Sequence, residues 1–186
     1  MNLPNKLTLL RVILVPFYVF FMLTDIVPFS PVIALAIFAA ASATDALDGH
    51  IARSRNLVTT FGKFLDPLAD KVLVVSALMC MVERGVIGSV PVIIIVAREF
   101  MVSGLRLVTA NEGVVVAAGI WGKLKTAFTM VAQVVIMLGM CFSFEGRAAE
   151  TAAVVYQILI WTATALTVIS GAVYLKGYWK YIDSSK

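Results

Sequence analysis

The fold class that this sequence predicts is all-α: a polytopic integral membrane protein of six transmembrane helices with a short N-terminal interfacial segment. Three observations predict it. Hydrophobic residues make up 61% of the 186, well above the ~45 to 50% of ordinary soluble domains. Apolar runs recur at lengths that approach a bilayer crossing, which takes ~20 helical residues at about 1.5 Å of rise each. The charged residues, only 14% of the chain, gather at the ends of those runs. One domain over residues 1–186 accommodates this length, and no internal repeat, low-complexity tract or linker divides it.

Met1 to Leu10 reads as an amphipathic lead, with Asn2, Asn5, Lys6 and Thr8 set among leucines, as an interfacial anchor would be. The first span follows from about Thr8 to Asp25. Arg11 lies one turn inside its start, within snorkelling reach of the surface. No small-residue cleavage site follows this run, so a removable signal peptide is not expected. Asp25 to Pro31, with two prolines, is a loop. Val32 to Ala43 is too short to cross alone and reaches span length only if the helix continues to Arg53. Arg53 to Phe61 is a polar connection. The third span carries Asp66 and Asp70 at its start and runs to about Val82. Pro67, lacking a backbone donor, lies in its first turn or kinks it.

Glu83 to Pro91 turns the chain, and a fourth span runs from about Val90 past Arg98 toward Val108. Thr109 to Gly122 reads as a loop with an apolar middle. The fifth span covers about Leu124 to Phe142, the sixth about Ala152 to Leu175, and Lys176 to Lys186 is a basic tail. Cys80 and Cys141 fall inside apolar runs and read as packing residues, because their spacing suits neither a zinc site nor a disulfide framework.

Charge fixes the expected orientation. With the N-terminus inside, Lys6, Arg11, Arg53, Arg55, Lys63, Lys71, Arg98, Arg106, Lys123, Lys125, Lys176, Lys180 and Lys186 face the cytosol, thirteen of the 15 basic residues. Arg84 and Arg147 remain outside. The positive-inside rule therefore turns the polar helix ends of the chain toward the cytoplasm. The net charge of +4 is explained by that rule and by anionic head groups, and it does not call for nucleic acid.

Four aspartates stand in one stretch of twenty-six residues, Asp45 to Asp70. Asp45 and Asp48 are three apart, and Asp66 and Asp70 four apart, so on two helices each pair occupies one face. Carboxylates 4 to 5 Å apart repel by about 3 to 4 kcal/mol per pair at an effective dielectric near 20. Such a cluster is stable around cations. Hard oxygen ligands in an open site suit Mg²⁺ or Mn²⁺, and two ions could clamp the oxygens of a phosphoryl displacement.

The full pattern is Asp45-x-x-Asp48-Gly49-x-x-Ala52-Arg53, eight residues, then Gly62-x-x-x-Asp66-x-x-x-Asp70. It resembles the motif of the CDP-alcohol phosphotransferases at every fixed position. The resemblance implies an integral-membrane enzyme that moves a phosphatidyl or similar group from a CDP-linked donor to an alcohol and releases CMP. It implies that Asp45, Asp48 and Asp66 hold a pair of divalent metals, that Asp70 completes the site, and that Asp70 is the general base for the acceptor hydroxyl. A carboxylate there suits an alcohol that must lose its proton as it attacks phosphorus. Asp48, Gly49, Ala52, Arg53 and Gly62 are the expected donor-nucleotide residues: the small ones admit close approach to the backbone, and Arg53 suits a diphosphate bidentately. Small residues also pack membrane helices tightly, whatever their other role. His50 lies outside the pattern, and Thr44 precedes it.

Basic and hydroxyl residues at other expected cytosolic ends form a second set: Thr8, Arg11, Arg98, Arg106, Lys123, Lys125 and Thr126. They fall in Pro4-Asn5-x-Leu7-Thr8-x-x-Arg11, in Arg98-Glu99-Phe100 with Ser103-Gly104-Leu105-Arg106, and in Trp121-Gly122-Lys123-x-Lys125-Thr126. These stretches resemble the branch of the family that uses CDP-diacylglycerol as donor and sn-glycerol 3-phosphate as acceptor. An acceptor that carries a phosphate needs fixed positive charge, which these residues can supply. Positive-inside charge meeting anionic lipid is the plainer account of each residue alone. The family resemblance further implies a homodimer. Two other acceptors, an inositol phosphate or phosphatidylglycerol, fit the same residues. A transporter is the reading from a different class, since ionisable residues in spans often mark ion paths; it is disfavoured because no acidic residue continues through the opposite half of the spans.

Overall fold

Six α-helices and no strand make up the residues described by a computed structural model of the chain, which covers the backbone of 3–54, 60–111 and 119–179 and the side chains of 5–44, 68–110 and 119–179. The helices are α1 (Leu3–Leu23), α2 (Ser30–Ser54), α3 (Thr60–Glu83), α4 (Ser89–Asn111), α5 (Ile120–Met140) and α6 (Arg147–Tyr178). Their order agrees with the six expected, and their ends do not. The N-terminal lead is not a separate segment, because α1 is continuous from Leu3. Helix α4 takes in Thr109 to Asn111 of the expected loop, α5 starts four residues before Leu124, and α6 extends past both expected limits. An apolar run marks where a helix crosses hydrocarbon. The helix itself continues into the polar layer, since each further residue closes another backbone hydrogen bond. Pro67 lies inside α3 rather than in its first turn, which opens at Thr60.

Three stretches, Asn5–Leu23, Ile120–Met140 and Arg147–Tyr178, are long and apolar enough to cross a membrane, and Ser30–Thr44 is a shorter apolar helix segment. Side chains such as Ile13, Phe17 and Phe20 on α1, and Val154, Ile158 and Trp161 on α6, are exposed, while Thr8, Arg11, Gln133, Thr167 and Ser170 are buried. Apolar outside with polar inside suits a protein in lipid. The chain is a membrane protein.

The chain forms two compact units, Met1–Gly85 with Val134–Ser143, and Val86–Gln133 with Phe144–Lys186. In the first, α1 packs against both α2 and α3. Asn5, Thr8, Arg11, Val15, Tyr18 and Met22 are buried, and their spacing of three and four makes one stripe on α1. The ring of Tyr18 lies 5.8 Å from that of Phe38 on α2, and its hydroxyl donates to Met137 Sδ at 3.5 Å. Buried Ala34 and Ala41 on α2, and Ala69 and Ala77 on α3, allow helix backbones to approach closely. Cys80 is buried and Cys141 partly so, both unbridged, as packing residues.

A clamp joins the ends of α1 and α3. Arg84 Nε donates to the Met22 carbonyl at 2.8 Å, and its two terminal nitrogens reach the Asp25 carboxylate at 3.0 and 2.8 Å. Gly85, at φ 69°, lets the chain leave α3 at that point. The hydrogen bonds from Arg84 hold the Asp25 carboxyl below its ordinary value of 3.8. A depressed carboxyl stabilises the folded state above its unfolded pKa, and the contribution fades as pH falls through the folded value. Asp25→Asn should therefore lower the unfolding temperature slightly at neutral pH, with the gap from wild type closing below about pH 4. Thermal unfolding of both proteins in detergent across that range is the check; a gap unchanged at low pH would exclude the ionised pair as its source.

In the second unit, α4 packs against α6. The inward residues of α6 are Ile160, Ala163, Thr164, Thr167, Ser170, Gly171 and Tyr174, mostly small, which permits close helix approach. Thr164 and Thr167 donate to carbonyls four residues back, at 2.8 and 2.7 Å. Buried hydroxyls thus find acceptors on their own helix.

Candidate functional site

Helix α2 does continue from its apolar run through the motif, ending at Ser54, and α3 holds both later aspartates. Asp45 and Asp48 are thereby one turn apart on α2, Asp66 and Asp70 one turn apart on α3, and these two helices touch one another as well as α1. The side chains of Asp45, Asp48, Gly49, His50, Ala52, Arg53, Gly62 and Asp66 lie outside the described residues; that of Asp70 is half-buried. Two pairs of aspartates at helical spacing, one pair on each of two touching helices, are residues of the hard-oxygen kind that Mg²⁺ or Mn²⁺ takes.

Arg11 is fully buried and does not reach the surface as the sequence suggested. Its Nε donates to the Ala41 carbonyl at 3.2 Å, one helical turn before Asp45. An arginine at this depth needs polar contact, and a carbonyl of α2 supplies part of it. Thr8 is buried on the same stripe of α1. The Thr44 hydroxyl donates to that same Ala41 carbonyl at 2.6 Å.

The second unit brings together three of the expected basic residues, two of them on one carboxylate. Glu99 Oε1 accepts from Arg98 Nη1 at 3.0 Å and from Lys125 Nζ. Arg98 Nη2 donates to Ser170 Oγ at 2.5 Å. Side-chain exposure is 10% for Arg98, 5% for Lys125 and 19% for Glu99. These charges are largely out of water, where electrostatic interactions are stronger than at a screened surface. Arg106 joins through Tyr174: its Nη2 lies 3.5 Å from the phenol oxygen. Three cations less one carboxylate leave the cluster a formal charge of +2.

Tyr174 is 4% exposed and stands among these groups. The guanidinium carbons of Arg98 and Arg106 lie 5.4 and 5.8 Å from its ring centroid, within cation–π range. Its hydroxyl accepts the Gly119 backbone N–H at 3.0 Å. Tyr178 stacks on it at 6.4 Å.

Lys123 and Thr126 are exposed and are not drawn into this cluster. The Thr126 hydroxyl donates to the Gly122 carbonyl at 3.0 Å. Residues two apart on a helix point to different sides, so Lys125 turns inward and Lys123 outward. The sequence reading missed Glu99, Ser170 and Tyr174. Glu99 was in view between its neighbours, as the acidic residue beside Arg98. The signal that could have found Tyr174 is its place one turn before Tyr178 and beside Lys176, at the end of the sixth apolar run.

Comparison with known proteins connects the chain to a family. The CDP-alcohol phosphatidyltransferase family pattern matches residues 1–169. A Bacillus subtilis (strain 168) protein named CDP-diacylglycerol--glycerol-3-phosphate 3-phosphatidyltransferase is 40% identical over 195 residues, covering 99% of this chain and 98% of its own. Proteins of the same name from Rickettsia bellii and Haemophilus influenzae are 38% and 40% identical, over 97% and 94% of this chain and 97% and 92% of theirs. With the aspartate motif carried on α2 and α3 and the match extending over nearly the whole chain, the protein belongs to the CDP-alcohol phosphatidyltransferase family.

Proposed function

We propose that the protein transfers a phosphatidyl group from CDP-diacylglycerol to sn-glycerol 3-phosphate, giving phosphatidylglycerophosphate and CMP, in phospholipid synthesis. The donor and acceptor are those in the names of the relatives. The observation that carries the choice of acceptor is the cluster of buried Lys125, partly buried Arg98 and exposed Arg106, which with Glu99 has a formal charge of +2 and suits a phosphate dianion.

In this reading Asp45, Asp48, Asp66 and Asp70 hold two Mg²⁺ or Mn²⁺ ions, which when bound supply positive charge for the phosphoryl oxygens. Gly49, Ala52 and Gly62 leave room for the cytidine nucleotide, Asp48 borders it, and Arg53 pairs with the diphosphate. Asp70 takes the proton from the acceptor hydroxyl as that oxygen bonds to the phosphatidyl phosphorus. The bond from phosphorus to CMP breaks, and CMP leaves. Arg98, Arg106 and Lys125 hold the acceptor phosphate; Thr8, Arg11, Lys123 and Thr126 are assigned there by the family resemblance.

Six crossings with the N-terminus inside put the basic helix ends on the cytoplasmic face of the bacterial plasma membrane, where soluble glycerol 3-phosphate is available. The donor's acyl chains remain in the bilayer. The homodimer is carried over from the family.

The deciding experiment offers purified protein CDP-diacylglycerol and a divalent metal with a panel of acceptors, and measures CMP release. Glycerol 3-phosphate should be preferred; preference for an inositol phosphate or for phosphatidylglycerol would reassign the acceptor within the family. Metal removal gives a separate check. Excess EDTA should abolish turnover, and Mg²⁺ or Mn²⁺ should restore it, because four carboxylates at helical spacing repel one another without a cation. Asp45→Asn, Asp48→Asn and Asp66→Asn should each raise the metal concentration needed for half-activity. Full turnover in EDTA would remove the metal from the mechanism.

A further inference from the structure

We infer that Tyr174 is a positioning residue for acceptor recognition: its ring and hydroxyl set where the guanidinium groups of Arg98 and Arg106 stand. The inference rests on the reading that these arginines hold the acceptor phosphate, and it adds a residue beyond the span matched by the family pattern, which ends at 169.

Two arginines of like charge do not gather without something between them to hold them. Both guanidinium carbons lie within 6 Å of one buried aromatic ring, at 5.4 and 5.8 Å, where the negative face of a ring attracts cations. The hydroxyl fixes that ring in turn, because Oη accepts the Gly119 N–H at 3.0 Å. Space around the ring and around Arg98 depends on missing side chains. A Cβ on Gly122 would stand 3.0 Å from Tyr174 Oη, and a Cβ on Gly171 would stand 3.1 Å from Arg98 Cγ and 3.3 Å from Met101 Cε. Either would force a neighbour to shift.

Arg98 is held without being saturated. Its two terminal nitrogens are used by Glu99 and Ser170, yet its Nε is buried with no hydrogen-bond partner among the described residues. A buried guanidinium N–H without an acceptor is costly. It points to a ligand oxygen that completes the set, and Tyr174 holds the guanidinium that presents it.

The test is steady-state kinetics of Tyr174→Phe and Tyr174→Leu in detergent–lipid micelles, together with calorimetric binding of glycerol 3-phosphate and of inorganic phosphate without donor. Tyr174→Phe keeps the ring and loses the hydroxyl; it should raise the acceptor KM about three- to tenfold, and Tyr174→Leu about tenfold or more. Donor KM and kcat should stay within about twofold, a split that general loosening of the fold would not produce. Gly122→Ala should reproduce the Tyr174→Phe effect. The double variant should lose less than the sum of the two single ones, because Oη, the nearest atom that the new methyl meets, is already gone and only the ring contact with Cε2 at 3.3 Å remains. Thermal unfolding is followed throughout, and if Tyr174→Leu loses its fold, Tyr174→Phe and Gly122→Ala decide. Unchanged acceptor KM, donor and acceptor KM rising together, or additive effects in the double variant would each overturn the role. A wild-type protein that releases no CMP with glycerol 3-phosphate would instead overturn the acceptor assignment, and phosphate binding by the same variants would still decide the place of Tyr174.

Discussion

Asp70→Asn should lower the rate of CMP release by about 10²- to 10⁴-fold, the range contributed by a positioned general base, while CDP-diacylglycerol still binds. The side chains are nearly isosteric, and Asp70 is only half-buried on a continuous helix, so the substitution should leave α3 intact. What it removes is the capacity to accept a proton and one negative charge toward the metals. These two effects separate by experiment. If Asp70 is chiefly a metal ligand, excess Mg²⁺ or Mn²⁺ should restore most of the rate; if it is the base, the rate should stay low at saturating metal, with donor KM nearly unchanged. Steady-state rates at several metal concentrations, with donor binding measured independently, distinguish them. Near-wild-type turnover would remove Asp70 from the chemistry altogether.

The fold was legible in the sequence where hydrophobicity decides it and illegible where direction does. Composition alone announces a membrane protein of helices, since apolar runs of this length have few other uses. It cannot say which side of a helix is inside. Along α1, Asn5, Thr8 and Arg11 share one buried stripe with Tyr18 and Met22, whereas the sequence placed the polar residues of that segment at the interface and Arg11 near the surface. In lipid the interior is where polar groups find partners, so the usual inference from polarity to exposure reverses.

The helices that carry the aspartate motif were legible because its residues are close in sequence, and α2 and α3 place each pair one turn apart. The basic cluster was legible only as a set of candidates. Lys125 and Glu99 are 26 residues apart, and Arg98 and Ser170 are 72 apart; such pairings depend on how α4, α5 and α6 pack, which no local pattern encodes. For the same reason the sequence offered Lys123 and Lys125 as equals, though only Lys125 is buried.

That difference sets the remaining prediction. Arg98→Met and Lys125→Met should each raise the KM for glycerol 3-phosphate by about ten- to more than hundredfold. A charge-assisted hydrogen bond contributes ~1.5 to 3 kcal/mol, and removing it equally from ground and transition states raises KM while kcat stays the same. The fold should survive each change, because Glu99 accepts from both cations and keeps one partner when the other is removed. Glu99→Gln should be the more destabilising substitution: it leaves Arg98 and Lys125 buried near one another without a counter-ion, the arrangement for which the cost of breaking a buried pair reaches about 3 to 5 kcal/mol. Inorganic phosphate should then raise the unfolding temperature of Glu99→Gln more than that of wild type, since an anion replaces the missing carboxylate. Arg98→Lys should fall between wild type and Arg98→Met: it retains the charge but lacks the fork that reaches Glu99 and Ser170 together. Lys123→Ala, at an exposed position on the same helix as Lys125, should have a smaller effect. The measurement is acceptor and donor KM for each variant, with membrane insertion verified. Equal and small changes for both substrates would reduce Arg98 and Lys125 to determinants of topology, and the phosphate of the acceptor would have to be recognised elsewhere.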